Sequence, residues 1–473
     1  MKLFEPITLN ATRLSNRIVL PAMVTRLSGE DGHINKDITD RYLRYAKGEV
    51  GLIVVEAMAV HTAKSGPLLR LGSDDYLAEH RELAAKIHAT SPSKVMPQII
   101  HFLKISRNGW RQTVDMLSLE EIDAIVEAYG AAAARARAAG YDGVELHMAH
   151  AYTLSSFLSR RNPRKDDYGQ TLENRLRLPL RVIEAVRKNV GKDFCVGLRF
   201  DGEECVKGGY TANEARVMAL AFARAGIDYI SVSAGGKFED AVPKEGQPLY
   251  PYTGYSGDRC MPSAHYPDGF NRPISAEIKR YLVANSVTTP VLSAGKINTP
   301  ELAEHILQTG EADLIGMARP LLADPDWPKK VKNGEWDKVI RCCYANVCKS
   351  LDENFRKVRC FLWPKGALQA PESSDREPPA WPKDGAALNA DWKQGKIRLN
   401  WQSASDNEQV YGYDVYRREG YGGNFVRLTA VPGGLSTFFD EQAVSGCRYE
   451  YYVRAYDIAG NRSESSNVVA VSP

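Results

Sequence analysis

The stretch that decides the fold is Tyr141-Asp-Gly-Val-Glu-Leu-His-Met-Ala-His-Ala-Tyr152. Its apolar run from Gly143 to Leu146 predicts a buried strand, and His147, His150 and Tyr152 follow directly. Protic rings at the point where a strand ends and a loop begins are typical of catalytic groups in parallel β/α barrels. The stretch therefore predicts a barrel strand with a reactive site at its carboxyl end.

Similar apolar runs recur along the chain up to Gly316 and alternate with amphipathic helical segments. With Gly143–Leu146, the predicted strands are Arg17–Leu20, Gly51–Val55, Met96–Ile100, Phe194–Arg199, Tyr229–Val232, Pro290–Leu292 and Asp313–Gly316. Helix starts are predicted at two capping boxes and one Thr-Pro pair: Ser118 with Glu121, Thr211 with Glu214, and Thr299 before Pro300. Eight strands, with no Gly-rich dinucleotide fingerprint after the first, favour a (β/α)8 TIM barrel over an open doubly wound sheet.

The barrel is predicted to occupy residues 1–365 and to be followed by a Pro-rich linker at 366–386. From 387 to 473, apolar residues alternate with period two between turn residues, which predicts a small all-β sandwich. Its strands are predicted at Ile397–Trp401, Tyr411–Tyr416, Phe425–Leu428 and Tyr449–Ala455.

Composition narrows the class of partner. With 61 basic and 58 acidic residues the net charge is only +3, which argues against a nucleic-acid surface. We find no apolar run of membrane-spanning length and no signal-peptide pattern, so we expect a cytoplasmic protein that acts on a small molecule. A homo-oligomer stays open.

Several separated motifs resemble the old yellow enzyme family, and more closely its 2-enoate and 2,4-dienoyl-CoA reductase branch, which includes trimethylamine dehydrogenase. Besides the histidine stretch they are Asn16–Pro21, Gly51–Glu56, Gln98–His101, Asp167–Gly169, Glu173–Arg175, Gly197–Arg199 and Asp313–Arg319. The resemblance implies FMN as cofactor, NAD(P)H as reductant, and reduction of the C=C bond of an enone or enoate. Amine dehydrogenation and a non-catalytic scaffold are the alternatives.

Two imidazoles past a strand end can donate hydrogen bonds to one carbonyl oxygen, so that the β-carbon of a conjugated substrate accepts hydride. In the family, the positions of His147 and His150 do this and that of Tyr152 protonates the α-carbon. The alternative is a metal pair, or buried histidines bonded to the backbone.

Flavin contacts follow from the same resemblance. It implies that Arg199 stabilises charge near the flavin N1 and O2, and that Met23, Val24 and Thr25 lie near O4. The positions implied at the pyrimidine edge and the phosphate are Ala57, Gln98, His147, Gly295, Lys296, Ala318 and Arg319. A surface salt bridge is the alternative for the two arginines.

Four cysteines, Cys342, Cys343, Cys348 and Cys360, resemble a degenerate form of the branch's [4Fe-4S] motif. Ala345 stands where the second cysteine of a Cys-x-x-Cys pair would be. Structural zinc or free thiols are the alternatives. Because the sandwich takes the place of the branch's nucleotide-binding module, we expect NAD(P)H to reduce FMN directly.

The sandwich looks like a fibronectin type III domain, with Trp401 in its core and Tyr449 as a tyrosine corner. That resemblance implies an interaction module whose partner is unknown. Substrate specificity is expected from the lid loop, Gly235–Pro267, which is rich in aromatic residues: Phe238, Tyr250, Tyr252, Tyr255, His265 and Tyr266. The alternative is that these aromatic residues pack on one another, so the substrate stays unnamed.

Overall fold

The computed structural model describes residues 1–63, 66–106, 110–246, 249–383 and 388–473. The chain divides into two compact units: Met1–Leu321 with Cys348–Val358, and Leu322–Val347 with Arg359–Pro473. This division differs from the boundary predicted at residue 365. Positions 384–387, where the predicted linker meets the predicted sandwich, lie outside the described residues.

The first unit contains a closed barrel of eight parallel strands. The strands are β3 Ile18–Leu20, β4 Leu52–Ala59, β5 Lys94–Ile100, β6 Gly143–Met148, β7 Cys195–Asp201, β8 Tyr229–Ser233, β9 Val291–Ala294 and β10 Leu314–Gly316. Closure follows from the pairing of β10 with both neighbours, Ile315 opposite Ile18 and Gly316 opposite Ala294. The predicted TIM barrel and all eight predicted strands are confirmed.

A short hairpin, β1 Ile7–Leu9 and β2 Thr12–Leu14, closes the amino end of the barrel. Leu9 and Leu14 pack in one apolar cluster with Met96 and Tyr229. Thr12 donates a hydrogen bond to the carbonyl of Asp142, just before β6. The barrel is thus filled from this end, and its carboxyl end carries the site.

Helices connect the strands. In the described residues they are α1 Lys36–Lys47, α2 Leu77–Thr90, α3 Leu119–Ala138, α4 Thr153–Leu158, α5 Leu172–Val190, α6 Ala212–Arg224, α7 Gly254–Cys260, α8 Arg272–Ala284, α9 Pro300–Gln308, α10 Ala318–Ala323, α11 Trp327–Lys332 and α12 Val347–Glu353. None of them is both long and apolar enough to cross a bilayer.

The helix starts tested the capping predictions. Ser118 and Glu121 form the predicted capping box, and Thr299 caps α9 with a proline in its first turn. Thr211 precedes α6 as predicted, but its side chain makes no capping bond, so that capping box is wrong. Glu214 instead pairs with Arg175 of α5, because a buried guanidinium attracts a carboxylate more strongly than a backbone amide does.

The second unit contains two antiparallel sheets, ordered β11-β12-β15 and β14-β13-β16-β17. Their strands are β11 Asn389–Lys393, β12 Lys396–Asn400, β13 Val410–Glu419, β14 Val426–Pro432, β15 Thr437–Asp440, β16 Tyr449–Asp457 and β17 Val469–Val471. Trp401 lies in the core, as predicted, edge-on to Tyr413. The hydroxyl of Tyr449 accepts a hydrogen bond from the amide of Val444 at 3.0 Å, the bond that a tyrosine corner requires.

Candidate active site

A left-handed turn at the end of β6 gathers the three predicted protic rings. His150 and Ala151 have φ of 62° and 64°. The ring centroids of His147 and His150 are 5.1 Å apart, and those of His147 and Tyr152 are 5.2 Å apart. Positive φ costs energy in residues other than glycine, so the surroundings must hold this turn. The amide of His150 donates to Oδ2 of Asp201 at 2.8 Å and supplies part of that restraint.

The protonation of His147 follows from its backbone contact. The amide of Ala149 donates to Nδ1 of His147 at 3.1 Å, so Nδ1 carries no proton. Burial and the nearby Arg199 hold the pKa of His147 well below its usual range. The ring is therefore neutral, with its proton on Nε2, and Nε2 can donate to a bound molecule.

His150 is engaged differently. Its Nε2 lies 2.7 Å from Oγ of Ser233, and its Nδ1 lies 3.5 Å from the hydroxyl of Tyr252. Burial and the Arg199 charge also lower the pKa of His150. Both nitrogens thus face protein hydroxyls, whereas the prediction that His150 binds the substrate oxygen needs one of them to turn to a ligand.

Tyr152 lies edge-on between His147 and Phe102, whose ring centroid is 5.3 Å away. Its hydroxyl is 3.4 Å from that of Tyr252. Burial raises the pKa of Tyr152 to about 12, so the phenol keeps its proton at neutral pH.

Gln98 of β5 and Arg199 of β7 lie on the two strands that flank β6, at the same barrel end. Arg199 makes no ion pair with the residues that the structure describes, and its buried Nε has no hydrogen-bond partner there. One Nη donates to the carbonyl of Ala22 at 3.2 Å. The amide nitrogen of Gln98 donates to Glu145 at 2.6 Å, which leaves the amide oxygen to accept. Nε of Arg199 can therefore donate a hydrogen bond to a ligand, and the amide oxygen of Gln98 can accept one. A flavin pyrimidine, which carries both acceptors and a donor, suits this pair.

The side chain of Thr25, predicted to lie near the flavin O4, is bonded to protein partners. Its hydroxyl donates to Glu56 at 2.6 Å and accepts from the amide of Leu27 at 3.2 Å. Because the hydroxyl is used, Thr25 has none to offer a flavin oxygen. Met23 and Val24 are partly exposed beside it, and Ala57 is buried in β4.

The predicted phosphate residues follow the paired strands β9 and β10. Gly295 and Lys296 have φ of 115° and 55°, so the chain turns sharply there. Nζ of Lys296 donates to the carbonyl of Ala264, and Arg319 donates to that of Pro262 at 2.6 Å. Arg319 is buried, which argues against the alternative of a surface salt bridge.

The four clustered cysteines fall on both sides of the division, Cys348 in the first unit and the others in the second. In the described part of the chain, the one group of three ligand atoms within 4.8 Å of one another consists of Asp375, Asp406 and Asp457. An iron–sulfur cluster or a zinc ion at the four cysteines stays a prediction.

Residues that the sequence did not single out complete the wall of the site. Arg26 donates through Nε to Asp352 at 2.8 Å and through Nη2 to the hydroxyl of Tyr250 at 3.0 Å. Tyr250 donates to the second oxygen of Asp352. This cluster joins the loop after β3, the lid loop and the strap, Cys348–Val358. Arg26 lies in an irregular segment and Asp352 in the two-turn helix α12, which is too short for a periodic pattern to mark it.

Barrel enzymes carry their chemistry at the end where these side chains gather, so fold and site together define an enzyme of the barrel class. Comparison with known families makes this specific. Residues 2–108, 104–256 and 263–338 match the NADH:flavin oxidoreductase / NADH oxidase family, and the chain belongs to it. It is an oxidoreductase, and its family uses FMN with NAD(P)H.

Two relatives and one solved structure illustrate the likeness. An NADH oxidase from Thermoanaerobacter brockii is 32% identical over 97% of this chain and 70% of its own length. A cinnamate reductase from Clostridium sporogenes is 28% identical over 76% of this chain, which spans 57% of that protein. A 2-naphthoyl-CoA reductase complex has a TM-score of 0.66 at 24% identity, over 76% of this chain and 56% of its own, and so shows the fold alone.

Proposed function

We propose that the chain is an FMN-dependent ene-reductase that uses NAD(P)H to reduce the C=C bond of an α,β-unsaturated carbonyl compound. The observation that carries the proposal is the turn at the end of β6, where a neutral imidazole with its proton on Nε2 lies 5.2 Å, ring to ring, from a protonated phenol. The likeness to a cinnamate reductase supports the same reaction class.

The chain's residues fit FMN. Gln98 and Arg199 would hold the pyrimidine, with Ala57, Met23 and Val24 beside the ring. The phosphate would bind to the residues that follow β9 and β10: Gly295, Lys296, Ala318 and Arg319. When bound, the flavin supplies hydride to the substrate. The Arg199 charge, which no carboxylate within 4 Å neutralises in the described residues, would stabilise the reduced ring.

His147 is proposed to donate from Nε2 to the substrate carbonyl and so to draw electron density from the β-carbon. An uncharged imidazole suits this task because it need not release a proton. Tyr152 then gives its hydroxyl proton to the α-carbon. His150 is proposed to contact the same carbonyl only if its ring turns away from Ser233.

The test is the variant Tyr152→Phe. We expect reoxidation of the reduced enzyme by 2-cyclohexenone to slow roughly 100-fold or more, the size of a lost general acid, while reduction by NADH stays near normal. Stopped-flow absorbance of the flavin measures both half-reactions. Tyr168→Phe is the matched control, because Tyr168 lies between α4 and α5 and its hydroxyl accepts from Arg181 of α5.

Equal loss of both half-reactions in Tyr152→Phe would contradict the proton-donor role. Bleaching of the flavin by trimethylamine without NADH would instead indicate amine dehydrogenation.

The second unit is proposed to be a fibronectin type III domain, supported by its two antiparallel sheets and the Tyr449 bond. A cytoplasmic location remains part of this proposal.

A further inference from the structure

A second phenol lies behind the proposed proton donor. Tyr252 belongs to the lid loop and precedes α7. Its hydroxyl is 3.4 Å from the hydroxyl of Tyr152 and 3.5 Å from Nδ1 of His150. Its ring meets that of His150 at a steep angle, with centroids 5.6 Å apart. The lid therefore places a hydroxyl between the imidazole and the donor.

The direction of the hydrogen bonds follows from Arg199, which can only donate. Its Nη2 lies 3.5 Å from Oγ of Ser233, so Ser233 accepts there, and we assign the hydrogen of its own hydroxyl to Nε2 of His150 at 2.7 Å. Nδ1 of His150 then carries the ring proton and donates to the oxygen of Tyr252. The hydrogen of Tyr252 is left to point at the oxygen of Tyr152.

We propose that Tyr252 is a positioning residue whose hydroxyl donates to Tyr152 and stabilises the phenolate left after proton transfer to the substrate. This inference rests on the proposed function. In the step, the O–H bond of Tyr152 breaks and a C–H bond forms at the α-carbon that has received the hydride-derived electron pair. Bulk water returns a proton to the phenolate once product has left.

The charged surroundings are compatible with this role. Arg26 is close enough to Tyr152 to favour the phenolate, whereas Asp352 and the thiol of Cys260 act against it. His147 and His150 are neutral. The bonds of 3.4 and 3.5 Å are long, and catalytic hydrogen bonds of this kind tighten when substrate fills the site.

Tyr252→Phe tests the proposal because it removes the hydroxyl and keeps the ring against Tyr250 and His150. We expect reoxidation by 2-cyclohexenone to fall about ten-fold, the effect of one hydrogen bond to a charged oxygen, with a larger solvent isotope effect and unchanged reduction by NADH. Tyr255→Phe is the control, since that ring is 51% exposed and its hydroxyl faces Arg259.

A readout independent of turnover is the ¹⁹F signal of 3-fluorotyrosine placed at position 152. Tyr252→Phe should move its titration midpoint up by about one pH unit. Ser233→Ala should move it in the same direction, because His150 is then free to accept the hydrogen of Tyr252 at Nδ1. Ser233→Ala also serves if Tyr252→Phe does not fold.

Unchanged midpoints and an unchanged isotope effect in both variants would overturn the inference. Failure of the proposed function looks different, because the unsubstituted protein would then not be reoxidised by 2-cyclohexenone at all, while the ¹⁹F midpoint could still respond to Tyr252.

Discussion

Hydrogen-bond direction at single residues decides what this site can do. The backbone of Ala149 fixes the proton of His147 on Nε2, and Ser233 fixes that of His150 on Nδ1 if Arg199 donates to it. Two histidines three positions apart thus differ in their hydrogen bonds, since Nε2 of His147 can donate to a bound molecule and Nδ1 of His150 faces the lid loop. The backbone of His150 is left-handed, and its ring stands nearly perpendicular to that of His147.

The carboxylate of Asp201 holds that turn, and its ionisation makes the stability of the fold depend on pH. Oδ2 accepts from the amide of His150 and from Ser155, whereas Oδ1 is buried with no partner among the described residues. Burial raises the pKa of Asp201 to about 7 from an ordinary value of 3.8. Between these values the native state binds more protons than the unfolded chain, so stability falls as pH rises through this window.

We therefore expect Asp201→Asn to flatten this part of the stability profile. Urea unfolding of both proteins from pH 4 to 7 measures it, and the difference between them should change by at most about 1.4 kcal/mol per pH unit. Parallel profiles would show that Asp201 does not titrate in this range.

The histidine stretch was predictable as a site because protic rings follow an apolar run, and the rings do meet. The tautomers of the two histidines were not predictable. That of His147 depends on a hydrogen bond from the amide of Ala149, and that of His150 depends on Ser233, which lies on β8. Thr25 shows the opposite case: its position in the chain suggested the flavin, but burial of Glu56 gave its hydroxyl another partner.

At the scale of elements, the strap Cys348–Val358 is the least expected feature. It belongs to the barrel unit although its sequence lies well beyond the last barrel strand. Asp352 attaches it to Arg26 and Tyr250, while the amide of Val358 donates to the carbonyl of Thr25. Contacts with residues far away in the chain hold this segment, and no local pattern in the sequence reveals them.

We expect the substitution Asp352→Asn to weaken the attachment of the strap to Arg26. Arg26 would lose its carboxylate while 7% exposed, and leaving a buried charge unpaired costs about 3 kcal/mol or more. Hydrogen exchange of residues 348–358 should rise and the unfolding midpoint should fall.

Lys357→Ala is the matched control for the strap, because the ion pair of Lys357 with Asp37 is about half exposed and such pairs contribute little. If both variants exchange at the same rate as the unsubstituted protein, Asp352 does not hold the strap.

At the scale of the whole molecule, the number of barrel strands was predictable because strands buried on both faces, such as β4 and β6, consist mostly of apolar residues and alternate with helices. The hairpin β1–β2 was not predicted, because its two strands, Ile-Thr-Leu and Thr-Arg-Leu, contain no continuous apolar run. The division of the chain into two units could not be predicted from the sequence either. Residues 322–347 lie before the Pro-rich stretch and yet group with the sandwich.

The central claim is that this barrel binds FMN and passes hydride from NAD(P)H to a conjugated alkene. One anaerobic absorbance titration tests it most directly. We predict that the purified protein is yellow with about one FMN per chain, that NADH or NADPH bleaches the flavin band, and that 2-cyclohexenone restores it. A flavin band that neither nicotinamide bleaches, or a bleached band that no enone or enoate restores, would contradict the claim.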